Sequence, residues 1–265
     1  VALDQEGIIS GEMPFLDHLE ELRWRIIKML AALAIVFVIV FGVIMGSHID
    51  VIDLLVTPIK PYLHGQNLVV THIVDKFTIM LQIAGVISIV IASPIVGYQL
   101  WAFLAPALNK REKKMILPVL TFGSVLFLSG VMFCVFVFIP QTMKLMDALP
   151  TKALSNMYTA DEYFGFLFMT SLAFGAMFEL PVVMLIATSV GIVTPQFFSK
   201  YRRHAFVAVL FLCELVTPGD LIISTLILFV PVYGLFELGV LLSWVVYRAR
   251  VKRLAAEALE GGASE

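Results

Sequence analysis

Phe164-Gly-Phe-Leu-Phe-Met-Thr-Ser-Leu-Ala-Phe-Gly-Ala-Met-Phe-Glu179-Leu-Pro-Val-Val-Met-Leu-Ile-Ala-Thr-Ser-Val-Gly-Ile192 holds one charged residue, Glu179, in a run otherwise apolar enough to cross a bilayer. A span needs about 20 predominantly apolar residues to cover roughly 30 Å of hydrocarbon. A carboxylate at mid-bilayer depth costs roughly 2.5–3.5 kcal/mol even on the lenient insertion scale. An acid kept there serves a substrate, a proton, an ion or another helix. The alternative is a protonated carboxyl satisfied by a neighbouring helix.

The whole chain agrees with that run. Of 265 residues, 60% are hydrophobic and only 14% charged, and the mean hydropathy is +0.97. No soluble domain of this length could place so much apolar surface in one core. The net charge of −2 decides nothing, because distribution matters more than sum in a membrane protein. Cys134 and Cys213 lie in apolar runs and read as small buried hydrophobes, not as a disulfide or a metal site.

Working outward, the sequence is expected to form six membrane helices. Span one covers Met29 to Met45, span two Phe77 to about Leu104, and span three Met115 to Met143. Span four holds Glu179. Ala205 to Val216 and Leu221 to Tyr247 then read as two short helices, five and six, joined by a turn at Thr217-Pro218-Gly219-Asp220. Counted from Arg203, helix five has about 16 residues, or some 24 Å at roughly 1.5 Å per residue. Beside longer neighbours, such a hairpin is expected to leave a concave, cupped face.

Charge sets the expected orientation. Of the 18 Lys and Arg residues, 14 fall on the N-terminus, the two loops after spans two and four, and the C-terminal tail. Only Lys60, Lys76, Lys144 and Lys152 fall on the other side, so both termini are expected in the cytoplasm. The resulting division is an N-terminal segment with an amphipathic helix over 1–28, a six-helix membrane domain over 29–247, and a basic then acidic tail over 248–265, expected to be disordered. The acids ahead of span one are wrong for a cleavable signal.

Three polar clusters stand out. In Phe15-Leu-Asp-His-Leu-Glu-Glu-Leu-Arg-Trp-Arg25, His18, Glu21 and Arg25 share one flank of an amphipathic helix, with Glu21 and Arg25 at pair spacing. In Ala105-Pro-Ala-Leu-Asn-Lys-Arg-Glu112-Lys-Lys114, Glu112 is the one acid among four cations; it either neutralises them or offers a carboxylate to a cationic ligand. Pro218 and Asp220 are expected to shape the hairpin turn, Asp220 by capping helix six. Glu237 could reach the cytoplasmic interface, while Glu214 has no evident role. His48, His64 and His72 match no metal spacing, and neither nucleotide-binding nor hydrolytic motifs occur. No cofactor, metal or nucleic-acid partner is expected.

These clusters, in this order, resemble the TatC family, the multispan core of the twin-arginine protein translocase. The resemblance rests on the Phe15–Arg25 run, on Tyr98-Gln-Leu-Trp-Ala-Phe-Leu-Ala-Pro-Ala-Leu108 with Glu112 following, on Phe174-Gly-Ala-Met-Phe-Glu179-Leu-Pro181, on Thr217-Pro-Gly-Asp220 and on Phe236-Glu-Leu-Gly239. Gly219 departs from the family's frequent second proline. The resemblance implies a non-enzymatic receptor for twin-arginine signal peptides of folded cargo. Glu21 and Glu112 would bind the arginines, with Arg23, Phe103 and His18 nearby. It also implies single-span TatA/TatB-type partner subunits near Glu179, a homo-oligomer within a larger complex, and a proton-motive-force-driven inner-membrane system. A secondary transporter or proton channel titrating Glu179 is the alternative.

Overall fold

The computed structural model describes residues 13–47, 50–104, 116–147, 157–216 and 222–262, and within them all side chains except those of 13–18, 104, 116, 216, 222–224 and 253–262. Ten α-helices run through the described residues: α1 Met13–Gly46, α2 Val51–Val56, α3 Asp75–Leu104, α4 Ile116–Phe133, α5 Ile139–Asp147, α6 Ala160–Phe178, α7 Leu180–Val190, α8 Pro195–Lys200, α9 Arg202–Val216 and α10 Ile222–Gly262. The amphipathic N-terminal helix and the first span are one 34-residue helix. Nothing between Pro14 and Gly42 interrupts it.

Among the described residues, five stretches are long and apolar enough to cross a membrane: Leu19–Gly46, Asp75–Phe103, Leu117–Asp147, Ala160–Val190 and Thr225–Lys252. The expected fifth helix is α9. Its 15 residues extend about 22 Å, short of the hydrocarbon thickness. The sixth differs from expectation, since α10 is not short but 41 residues long. It also carries the tail expected to be disordered. Arg253-Leu-Ala-Ala-Glu-Ala-Leu-Glu260 consists of strong helix formers with no Gly or Pro, so the helix continues to Gly262.

Two spans are irregular where proline removes a backbone donor. Ahead of Pro140, Cys134–Phe138 widens into a π-turn closed by Ile139 N–H to Cys134 O. Span four, read as continuous from the sequence, breaks at Glu179 between α6 and α7, and Pro181 stands in the first turn of α7.

Side-chain pairs give the packing. Arg25 meets Gln99 and Phe41 meets Phe77, so α1 and α3 are antiparallel. Phe133 and Phe138 pack on Phe174 in the centre of the core, and α4 and α6 approach closely at Gly130 and Gly175. Gly239 against Pro181, Ser243 against Met184 and Arg250 against Ser189 run in the same direction, so α7 and α10 are parallel. Arg202–Glu237, Phe206–Tyr233 and Glu214–Thr225 pair α9 and α10 antiparallel in a single register. At the loop end, the 3₁₀ helix Thr57–Tyr62 buries Ile59 among Ile79, Ile83, Phe138 and Phe164. Tyr163 donates its hydroxyl to Leu55 O at 2.9 Å, and Val69 bridges Tyr158 and Ala160, tying both loops to the bundle.

Gly130 permits the α4–α6 approach. A Cβ there would lie 2.7 Å from Phe174 O and 2.9 Å from Phe178 Cγ, whereas at Gly42 nothing lies within 4 Å. Gly130→Ala is therefore expected to cost about 1–3 kcal/mol, read as a lower melting temperature of the detergent-solubilised protein. Gly42→Ala should not lower it. Equal behaviour of the two variants contradicts the close crossing.

Candidate functional site

The opposite, basic end of the bundle gathers the first cluster. Glu21 and Arg25 share one face of α1 at one-turn spacing. The Arg25 guanidinium donates to Glu21 Oε1, through Nε at 3.0 Å and through a second, shorter contact from Nη2. Its Nη1 reaches Gln99 Oε1 on α3 at 3.5 Å. Because the two helices are antiparallel, Glu21 lies one turn beyond Arg25 and Phe103 one turn beyond Gln99, both towards the same end. Glu21 and Phe103 are half-buried and Arg23 is exposed. The connection 105–115, which carries Glu112, joins α3 to α4 at this end; Glu112 and the His18 side chain lie outside the described residues.

Glu179 sits apart from this cluster. It lines an apolar cavity of about 490 Å³ between α3, α4 and the α6–α7 break, with Leu33 of α1 at its edge. The carboxyl lies against Gly123, where a Cβ would come within 3.1 Å of Oε2. The same cavity is lined by Trp101, whose buried indole N–H finds no acceptor among the described residues.

The α9–α10 hairpin holds two further polar pairs. Arg202 Nη2 bonds Glu237 Oε2 at 2.8 Å, and the Tyr233 hydroxyl donates to Glu237 Oε1 at 3.2 Å. Nearer the turn, Thr225 Oγ1 donates to Glu214 Oε2 at 3.1 Å. Pro218 and Asp220, expected to shape that turn, lie outside the described residues. Of the outer histidines, His64 lies beside Asp147 and His72 beside Asp75, two separate places, and His48 lies outside the described residues.

Residues 17–231 match the model of the family described as Sec-independent protein translocase protein (TatC). The chain belongs to the TatC family. It is 33% identical over 254 residues to the Sec-independent protein translocase protein TatCy of Bacillus subtilis, covering 93% of this chain and 95% of that protein. It is 30% identical over 236 residues to TatC of Escherichia coli, covering 89% and 90% respectively. A crystal structure of the twin-arginine translocase receptor TatC superposes with a TM-score of 0.72 at 27% identity, over 86% of this chain and 99% of that one. A TatC-family chain with five long apolar helices among its described residues is a multi-pass membrane component of a protein translocase.

Within this TatC-family fold, the structure brings Glu21 and Phe103 to one end and leaves Glu179 in a separate cavity. The sequence reading identifies the Glu21–Arg25 spacing but not Gln99 or Trp101, which need the α1–α3–α4 packing to be known. The partners of Glu214 and Glu237 had a signal: each lies as far from the centre of the turn as its counterpart on the other helix.

The half-exposed Arg202–Glu237 pair is expected to couple by about 0.5–1 kcal/mol. A double-mutant cycle of Arg202→Met and Glu237→Gln, read by denaturation in detergent, measures this. Additive effects would show that the pair does not hold the hairpin.

Proposed function

We propose that this chain is the receptor core of a twin-arginine translocase. It binds twin-arginine signal peptides of folded proteins at the basic, cytoplasmic end and assembles single-span TatA/TatB-type subunits for export driven by the proton motive force. The carrying observation is the placement of Glu21 on α1 one turn from a tether to α3, beside the end that bears Phe103 and continues into the Glu112 segment. Two adjacent guanidiniums need anionic, hydrogen-bonding partners, and a carboxylate offers each a bidentate fork. Glu21 already takes a guanidinium from Arg25, so its surroundings suit that chemistry. Arg23, Phe103 and His18 frame the same end.

Six crossings with both termini in the cytoplasm fit the charge bias, with α9 as the short fifth. Its deficit in length gives the fold a concave face, and the Glu179 cavity is where an apolar partner helix docks. The protein is then a multi-pass protein of the cytoplasmic membrane and acts in copies within a larger complex. Membership of the TatC family and similarity to a protein described as the twin-arginine translocase receptor support this reading.

Binding of an immobilised twin-arginine peptide to the solubilised chain tests it. A Lys-Lys version should bind more weakly, and Glu21→Ala or Glu112→Ala should each weaken binding at least about tenfold, the loss expected for one charge-assisted contact. Wild-type affinity in both variants would remove these carboxylates from the site. Glu179→Gln, by contrast, should reduce crosslinking to a single-span partner while peptide binding persists; equal loss of both would refute separate sites.

A further inference from the structure

The cations at the basic end are not equivalent. Arg25 is paired with Glu21, Arg202 with Glu237, and Arg250 donates to Ser189 O at 3.3 Å, where it covers the left-handed Gly191 that ends α7. Lys200 and Arg248 are exposed, and no carboxylate pairs with either among the described residues. Each lies over an aromatic ring instead: Lys200 Nζ is 5.7 Å from the Tyr201 centroid, and Arg248 Cζ is 5.5 Å from the Trp244 ring.

Their elements are joined. Trp244 Nε1 donates to Ser199 Oγ at 3.5 Å, so the end of α8 rests on α10. Lys200 follows Ser199 directly, and Arg248 follows Trp244 by one turn. The contact therefore brings together the two elements that carry these cations, α8 and α10. Tyr247 packs edge-on against Trp244 at 6.2 Å, and Tyr201 packs at a tilt against Phe197 at 4.5 Å. Amphipathic rings of this kind settle at the level of lipid headgroups. Arg248 and Lys252 also stand where α10 leaves its apolar stretch, and a basic cluster just beyond a membrane helix attracts anionic lipid.

We infer that the α8–α10 corner is a binding site for an anionic phospholipid headgroup, its phosphodiester held between Lys200 and Arg248 and its glycerol region against Trp244. Ring contacts hold the two side chains without cancelling their charge, leaving their N–H groups for phosphate oxygens. The site is built on α8 and α10, not on the α1 helix that carries Glu21, and does not depend on what the protein transports. It would fix α10, and with it the hairpin, at a set depth in one leaflet.

The full chain in neutral detergent, doped with phosphatidylglycerol or phosphatidylcholine and examined by native mass spectrometry, tests this. Phosphatidylglycerol should be retained in preference to phosphatidylcholine. The double variant Lys200→Gln, Arg248→Gln should lower that retention about 25-fold, two contacts at roughly fivefold each. The charge-preserving exchange Lys200→Arg, Arg248→Lys should keep most of it, and Lys144→Gln, at the loop end, all of it. Melting temperatures in lipid-free detergent check that each variant is folded. Equal retention of the two lipids, undiminished binding by the double variant, or equal loss in Lys144→Gln would overturn the site. Displacement of the lipid by inorganic phosphate at matched concentration would overturn the lipid and leave a free-phosphate site.

Discussion

A backbone carbonyl deprived of its donor has no water to turn to inside hydrocarbon, so every proline in a membrane helix must be answered locally. This chain places Pro94, Pro140, Pro181 and Pro231 within its long apolar helices. The answers differ. Pro94 removes the donor for Val90 O, and Ser93 Oγ replaces it at 2.8 Å. Ahead of Pro140 the helix widens by one residue, and Ile139 N–H bonds Cys134 O. Before Pro181 the helix stops and restarts, with Glu179 N–H on Ala176 O at 3.2 Å and Val183 N–H on Glu179 O at 3.0 Å. Hydroxyls add further donors along the core: Thr170 to Phe166 O, and both Thr188 and Ser243 to Met184 O.

Those local answers shape the cavity. Ser93 and Gly97 of α3 line it from one side, Gly123 of α4 from another, and the α6–α7 break presents Glu179 to it. Small residues and a helix interruption meet at one depth, so the helices cannot fill the space between them with side chains. On the far side of the break the same proline serves tight packing: Pro181 is buried and its Cα lies 3.1 Å from where a Cβ on Gly239 of α10 would be. One interruption thus gives an open face and a closed one.

Hydropathy made the long helices legible, because a 20-residue apolar run has one stable arrangement in lipid. It was blind to the break at Glu179, since Pro181 lies among apolar neighbours and changes donors, not hydrophobicity. The tail shows the converse. Arg253 to Glu260 is polar enough to look like a solvated end, but its Ala, Leu, Glu and Arg content favours helix and carries α10 to Gly262. At the candidate site, the Glu21–Arg25 pair followed from spacing alone. Gln99 did not, because a contact across 74 positions is fixed by packing and no local pattern encodes it.

Glu179 is the residue whose cost remains to be explained. It closes α6 and opens α7, so it sits at the negative end of one helix dipole and the positive end of the next. In nearly continuous helices those opposed partial charges largely cancel. Neither hydrogen bond nor ion pair reaches its side chain among the described residues, and Pro181, two positions on, has no N–H to offer. Protein groups therefore offset little of the roughly 2.5–3.5 kcal/mol that an acid costs at this depth. What faces the carboxyl is the cavity, which Trp101 also lines. An acceptor left open on an apolar cavity is unfavourable in the isolated chain and favourable once an occupant brings its complement. The cost of Glu179 therefore depends on whether the cavity is empty or holds such an occupant.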